Sequence, residues 1–494
     1  MRIVLTSSEA VPFSKTGGLA DVSSALPKAL AALGHELWLI TPYYPQQAEL
    51  NGLAKQIQST EQSITITIGH NDVTARILES RIPGTSVRVF LVDQPDYFDR
   101  PGLYGDAQGD YRDSCERFVF LSRAVLEICR KFDIRPDVIH ANDWQTGLVP
   151  ALLKIEGHRY GLERTASIYT IHNMAFQGQF WHWDMVLTGL DWKYFNWRQM
   201  EFHGQLNLLK TGITFADMLT TVSPTYAREI QTAEFGNGLN GVLTSRREDL
   251  VGILNGIDEE VWNPATDPYI AENYDHTTVS IGKPVCKVAL QKAMGLPVHM
   301  NVPLFGMISR ITSQKGLDLI LGCSRDLADL NVQCVFLGTG DPVLEKGLMA
   351  LAKEHPEKFA VKIGYDEALS HQIEAGSDIF LMPSQFEPCG LNQMYSLAYG
   401  TVPIVRAVGG LADSVIDVTE ANLGKGTANG FSFYEYKSEV LFRQICRTLG
   451  YFLDKTTWLK LQKTGMTRDW SWKRSAQEYL NAYQQACLKR SHGH

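Results

Sequence analysis

The stretch Ile3-Val4-Leu5-Thr6-Ser7, followed by Lys15-Thr16-Gly17-Gly18-Leu19-Ala20-Asp21 and then by Leu37-Trp38-Leu39-Ile40-Thr41, decides the fold class. An apolar run, a Gly-rich loop, an Ala/Leu-rich segment from Ala20 to Leu33 stopped by Gly34, and a second apolar run read as strand, loop, helix, strand. That is a βαβ unit. Pro27 inside the helical segment is expected to strain or kink it. Bare glycines opening a helix also place backbone N–H groups where an anion can dock. The pentapeptide recurs as Gly409-Gly410-Leu411-Ala412-Asp413, with Arg406 three residues upstream where the first copy has Lys15 two upstream. Two related halves with unequal duties toward an anionic ligand are therefore expected.

Further short apolar runs lie at Val87 to Val92, Val138 to His140, Ser167 to Ile171 and Met218 to Val222, with helical patterns between several of them. A parallel sheet covered by helices accommodates that rhythm. It restarts after Val251, with strands expected at Leu304 to Ser309, Val335 to Gly338, Val361 to Gly364, Ile379 to Pro383 and Pro403 to Val405. The expected organisation is α/β: a Rossmann-like domain over 1–254, a second over 255–470, and a helix in 471–494, patterned from Trp472 to Leu488. Both domains are expected to be doubly wound and to face one another across a deep cleft.

A chain of 494 residues accommodates two or three domains at about 150 residues each. Its formal charge of −8, without a long basic run, excludes a nucleic-acid surface, and no apolar stretch approaches the roughly 20 residues of a membrane span. Eight scattered cysteines without a CxxC pair suit a reducing compartment, and with no targeting segment at Met1 a cytoplasmic location is expected. The tail Ser491-His492-Gly493-His494 reads as a frayed end rather than a metal site.

In doubly wound sheets, ligands bind beyond the carboxyl ends of the strands. In order, those ends carry Lys15-Thr16-Gly17-Gly18, His140-Ala141-Asn142-Asp143-Trp144, His172-Asn173, Asn255-Gly256, Arg310 with Lys315-Gly316, Gly338-Thr339-Gly340 and Glu387-Pro388-Cys389-Gly390-Leu391. Arg310 and Lys315, five residues apart across one loop, are spaced to reach one diphosphate, the Arg as a fork and the Lys as a point charge. Cys389 reads as a small packing residue in preference to an activated thiol, and Gly338-Thr339-Gly340 lacks the third glycine of a dinucleotide fingerprint. Four of the ten tryptophans, Trp181, Trp183, Trp192 and Trp197, cluster with Phe180, Tyr194 and Phe195 and are candidates for contact with the apolar face of a ligand or for core.

With KTGGLAD, HANDWQ, TIHNMAFQG, TVSPTYA, ILNGID, SRITSQKG, PSQFEPCGLNQ and VGGLAD in this order, the chain resembles bacterial glycogen synthases and plant-type starch synthases, retaining glucosyltransferases of the GT-B fold. The resemblance implies transfer of glucose from ADP-glucose to the non-reducing end of an α-1,4-glucan with retention of configuration. It implies that Arg310 and Lys315 neutralise the diphosphate, that His172 and Asp143 lie in the donor-sugar pocket, that Glu387 holds the sugar hydroxyls, that the helix in 471–494 crosses back to the first domain, and that the two domains close on donor binding. Donor and nucleotide contacts would come from Lys15, Gly17, Gly18, Asp21, Asn173, Asn255, Gly338, Gly340, Tyr365, Cys389, Gly390, Leu391, Gly409 and Gly410. No cofactor is expected: no Asp-x-Asp occurs in the chain, so protein cations and helix N-termini would take the place of a metal, and ADP-glucose is a substrate. The chain has Tyr395 eight residues after Glu387, where many retaining relatives carry a second Glu. The readings left open are a GT-B enzyme using UDP-glucose or another acceptor, and a catalytically silent glucan-binding protein.

Overall fold

A computed structural model of the chain describes residues 1–106 and 108–492, so that Gly493 and His494 of the tail lie outside the described residues. The chain folds as two compact units, Met1–Asn255 together with Trp472–His494, and Gly256–Ser471.

The first unit opens with β1 (Arg2–Thr6), helix α1 (Gly18–Ala32) and β2 (Glu36–Pro42). β1 and β2 pair in parallel, Ile3 opposite Leu37. Leu19, Val22, Leu26 and Leu30 share one buried face of α1, which runs through Pro27 without ending there. The strands β3 (Gln58–Ile68), β4 (Asn71–Arg81), β5 (Arg88–Asp93), β6 (Val138–Asn142), β7 (Ala166–Ile171), β8 (Met218–Thr221) and β9 (Leu250–Gly252) complete the sheet. Among the described residues it has nine strands in the order β9-β8-β7-β6-β1-β2-β5-β4-β3.

This sheet corrects the expectation of a parallel one, because β3 and β4 form a hairpin and β4 runs antiparallel to β5. Ile64, Ile66 and Ile68 are buried while Thr65 and Thr67 between them are exposed, the alternation of a strand with one wet face. Such an edge needs no covering helix on its outer side.

The second unit contains β10 (Leu304–Ile308), β11 (Gln333–Gly338), β12 (Phe359–Ile363), β13 (Ile379–Met382), β14 (Val402–Arg406) and β15 (Phe431–Phe433). Their order is β12-β11-β10-β13-β14-β15, every pairing is parallel, and Phe305, Phe336, Ile379, Leu381, Ile404 and Phe431 are buried in the core against the sheet. In sequence terms this is the 3-2-1-4-5-6 arrangement of a dinucleotide-binding sheet.

Where the parallel winding of a doubly wound sheet reverses, the loops on either side diverge, and ligands bind there. In the first unit the reversal lies between β1 and β6, in the second between β10 and β13. The loops leaving those four strands carry Lys15, Asp143, Arg310 with Lys315, and Glu387 respectively.

The C-terminal helix α4 (Trp472–His492) belongs to the first unit, preceded in chain order by α2 (Asn392–Ala398) and α3 (Gly409–Ser414) of the second. Trp472, Ala476, Tyr479, Leu480, Tyr483 and Ala486 of α4 enter the same core as Ile3, Leu5, Val138 and Ile168.

Candidate functional site

In the second unit, β10 runs straight into a loop whose Gly316 has φ +79 and whose Cβ position would lie 2.2 Å from the Pro383 carbonyl oxygen. Only glycine fits there, and its closeness brings the loop after β10 against the loop after β13. As a result Lys315 Nζ lies 2.6 Å from Glu387 Oε2, both side chains largely buried. Ser384 Oγ donates to the same oxygen at 3.1 Å. Arg310 is exposed on the same loop, its Nη2 donating to Gln314 Oε1 at 3.2 Å, and the Gln385 N–H donates to the Gln314 carbonyl at 2.8 Å. One carboxylate and one cation thus meet at the switch point of this sheet, with Arg310 exposed on the same loop.

The second GGLAD copy proves to be different from the first. The Gly410 N–H is committed to the carbonyls of Glu387 and Pro388, at 3.2 and 3.1 Å. Cβ atoms at Gly409 and Gly410 would fall 2.0 Å from the Glu387 and Cys389 oxygens. Arg406 donates to the carbonyls of Gln385 and Tyr434. The Gly410 N–H is thus spent within the fold, and Gly409 and Gly410 let α3 seat directly against the Glu387 loop and hold it. Cys389 is buried in that contact, its carbonyl accepting from Gln393 Nε2 at 3.0 Å, while Gly390 and Leu391 lead into α2. Asn392 ties α2 to β10 through the Ile308 carbonyl at 2.7 Å.

Gly338 ends β11, and Gly340 bridges to Ile311 with its N–H donated to Glu345 Oε1 at 2.7 Å. Tyr365, after β12, is exposed. Tyr395 stacks face to face on Trp262 at 3.9 Å, and His371 stacks on Trp262 at the same distance. The aromatic substitute for the second Glu is thus part of a packed column.

In the first unit, Lys15 Nζ pairs with Asp21 Oδ1 at 2.8 Å, both partly exposed. Gly17 and Gly18 are exposed, nothing lies within 4 Å of a Cβ built at Gly17, and no side chain caps the α1 N-terminus. Packing within the unit does not call for glycine at position 17. Behind this loop lies Glu9, a residue that the sequence reading passed over. Its buried carboxylate accepts from Thr16 Oγ1 at 2.9 Å and from the Thr16 N–H, and burial raises its pKa to about 6. The only signal in the sequence was an acid placed directly after β1.

Asp143 follows β6 with φ +55 and ψ −179, a region that residues with a side chain seldom occupy. Strain of about 1–3 kcal/mol at such a residue persists only where its surroundings impose it. Here the Asp143 N–H donates to the Thr170 carbonyl at 2.9 Å, and Asp143 Oδ1 accepts the His172 N–H at 2.7 Å. The Asn173 N–H also bonds the carboxylate, yet burial dominates and lifts its pKa to about 7. Burial pushes His172 the other way, so its imidazole is neutral at pH 7. Asn255, the last residue of the first unit's main segment, is buried with Oδ1 unpaired among the described residues.

These shifts carry a sign. An acid whose folded pKa is raised binds a proton that the unfolded chain has lost, so stability falls as pH rises through the folded value. Between pH 6.5 and 8, Asp143 and Glu374, raised to about 8 by burial, both act in that direction. His371, raised to about 9 mainly by its bonds to Asp267 and Glu367 against an opposing burial effect, loses its stabilising proton in the same direction. Thermal midpoints of the protein are expected to fall across this window, and less steeply in Asp143→Asn. Parallel curves for the two proteins would show that Asp143 is already ionised at pH 6.5.

Residues 2–245 match the starch synthase catalytic domain family, and residues 295–449 match glycosyl transferases group 1. The chain is 46% identical to a glycogen synthase from Anaeromyxobacter sp. (strain Fw109-5), over 98% of this chain and 99% of that one. It belongs to the glycogen and starch synthase family. A glycogen synthase from Rhodopirellula baltica is 43% identical over 98% of this chain and 97% of its own. Among solved structures, the catalytic domain of starch synthase IV from Arabidopsis thaliana, bound to ADP and acarbose, superposes with a TM-score of 0.89 at 32% identity over 98% of this chain and 99% of that one. A sucrose-phosphate synthase from Thermosynechococcus elongatus, 17% identical with a TM-score of 0.59, shares the fold. The family is that of GT-B glucosyltransferases, so the two Rossmann-like units are those of a glycosyltransferase. No helix among the described residues is long and apolar enough to cross a membrane.

Proposed function

We propose that the protein transfers glucose from ADP-glucose to the non-reducing end of an α-1,4-glucan and retains the α configuration. The observation that carries this reading is the pairing of Lys315 with Glu387 at the switch point of the second sheet, with Arg310 exposed on the same loop. The starch synthase IV structure, which holds ADP and acarbose, supports it.

As the glycosidic bond breaks, negative charge builds on the departing diphosphate, and donors fixed in advance stabilise it. Lys315 carries three N–H donors and spends one on Glu387, which leaves two for phosphate oxygens. Arg310 adds a planar fork. In the first unit, Lys15 and the open N-terminus of α1 offer donors to an anion, Gly17 and Gly18 letting the backbone approach closely. Glu387, fixed by Lys315 and Ser384, accepts from the sugar hydroxyls. Asp143 and His172 flank the sugar, and the proton of the incoming hydroxyl passes to the departing phosphate on the same face.

ADP-glucose and UDP-glucose consumption, each with glycogen present, tests the reading. Consumption of ADP-glucose in preference, with new α-1,4 linkages, is expected. Consumption that does not depend on the glucan, or β-linked product, would overturn it.

A further inference from the structure

Asn142, the last residue of β6, is fully buried beside His172. Its Nδ2 lies 3.1 Å from the Thr6 carbonyl oxygen on β1 and 3.5 Å from that of His140. Both of those groups only accept, so the amide has one orientation: turned over, its oxygen would face two carbonyl oxygens. Oδ1 then points at His172 Nε2, 2.9 Å away. An oxygen that only accepts requires a donor opposite, so Nε2 carries the hydrogen. The ring is neutral at pH 7, because burial disfavours its charged form. Nδ1 therefore keeps its lone pair, and among the described residues it has no hydrogen-bond partner. His172 is only partly exposed, and its backbone is held by Asp143.

We propose that Asn142 is a positioning residue that holds His172 as the Nε2–H tautomer and so presents Nδ1 as an acceptor for a hydroxyl of the donor sugar. The tautomer follows from the contacts of Asn142 alone; the sugar hydroxyl rests on the function proposed above. The chain from Thr6 through Asn142 to His172 joins the ends of β1, β6 and β7, so the orientation of the ring is set by the sheet itself. A mobile imidazole would present a donor and an acceptor by turns.

Protein labelled with 15N-histidine, free of ligand at pH 7, tests this directly, with the His172 signals assigned by their loss in His172→Gln. A pyrrole-like Nε2 and a pyridine-like Nδ1 are expected; the reverse pattern would overturn the assignment, whatever the nucleotide sugar is. In Asn142→Leu the Nε2–H loses its partner, so the proton is expected to move toward Nδ1. The donor KM should then rise about tenfold, the size of one well-formed hydrogen bond lost, while the acceptor KM is unchanged. An unaltered His172 spectrum in the folded variant, or an unaltered donor KM with a shifted one, would refute the positioning role. Should Asn142→Leu fail to fold, the wild-type spectrum still decides the tautomer.

Discussion

Lys315→Ala is expected to lower kcat/KM for the nucleotide sugar by about 10²–10³-fold, the range seen when one preorganised donor to a developing negative charge is removed. The variant has a second consequence that must be kept apart from the first. Glu387 is largely buried and has Lys315 as its cation at 2.6 Å, so alanine leaves that carboxylate without its countercharge. Breaking such a pair from one side costs about 3–5 kcal/mol. The thermal midpoint should therefore fall with the activity. The double variant Lys315→Ala, Glu387→Gln removes the stranded charge as well, and should recover much of the midpoint while recovering none of the activity. Steady-state kinetics and thermal denaturation on the three proteins separate the two effects. Wild-type activity in Lys315→Ala, or activity that follows the midpoint in the double variant, would remove Lys315 from the diphosphate site.

What could be read in advance follows from the range of the forces involved. The segment from Ile3 to Thr41 was legible because a strand buried on both faces is a short apolar run, and a glycine pair before a periodic helix is a local signal. The β3–β4 hairpin was passed over although Ile64-Thr65-Ile66-Thr67-Ile68 alternates in plain view. A reading tuned to continuous apolar runs gives such half-buried strands little weight. The second GGLAD copy shows where a repeated motif stops being informative. Its unequal upstream residues, Lys15 and Arg406, point to unequal duties, but that Gly410 spends its N–H on Glu387 and Pro388, more than 20 positions upstream, is set by packing that five residues do not carry. Glu9 is missing from the strand-end reading for the same reason, and Asn142 stands in it without a role. What makes them matter is the atom each faces, Thr16 in the one case and His172 in the other, and side-chain direction is decided by packing across the sheet.

A chain ending at Ser471 is expected to lose the native packing of the first unit while the second stays folded. Helix α4 lies more than 200 residues beyond the rest of its unit, yet Tyr479, Tyr483, Ala476 and Ala486 are fully buried in the core that holds β1, β6 and β7. Removing one large aromatic side chain from a core costs about 3–5 kcal/mol, and a whole domain is stable by only about 5–15 kcal/mol. The loss of two tyrosines together with Trp472 and Leu480 therefore exceeds what the unit can spare. His140 adds to it. The imidazole is fully buried, burial lowers its pKa to about 3, and Nδ1 lies 2.9 Å from the Tyr483 hydroxyl, so the truncation also leaves a buried polar atom unpaired. The second unit keeps its six strands and its own core within Gly256–Ser471. Hydrogen exchange on the truncated chain should show β1, β6 and β7 unprotected while β10 and β13 exchange as in the full chain. Tyr483→Phe, which keeps the ring and removes only the hydroxyl, should cost no more than about 1–3 kcal/mol and leave every strand protected. Native protection of β1 and β6 without α4 would mean that the first unit's core is complete by Asn255, and that the last helix only covers it.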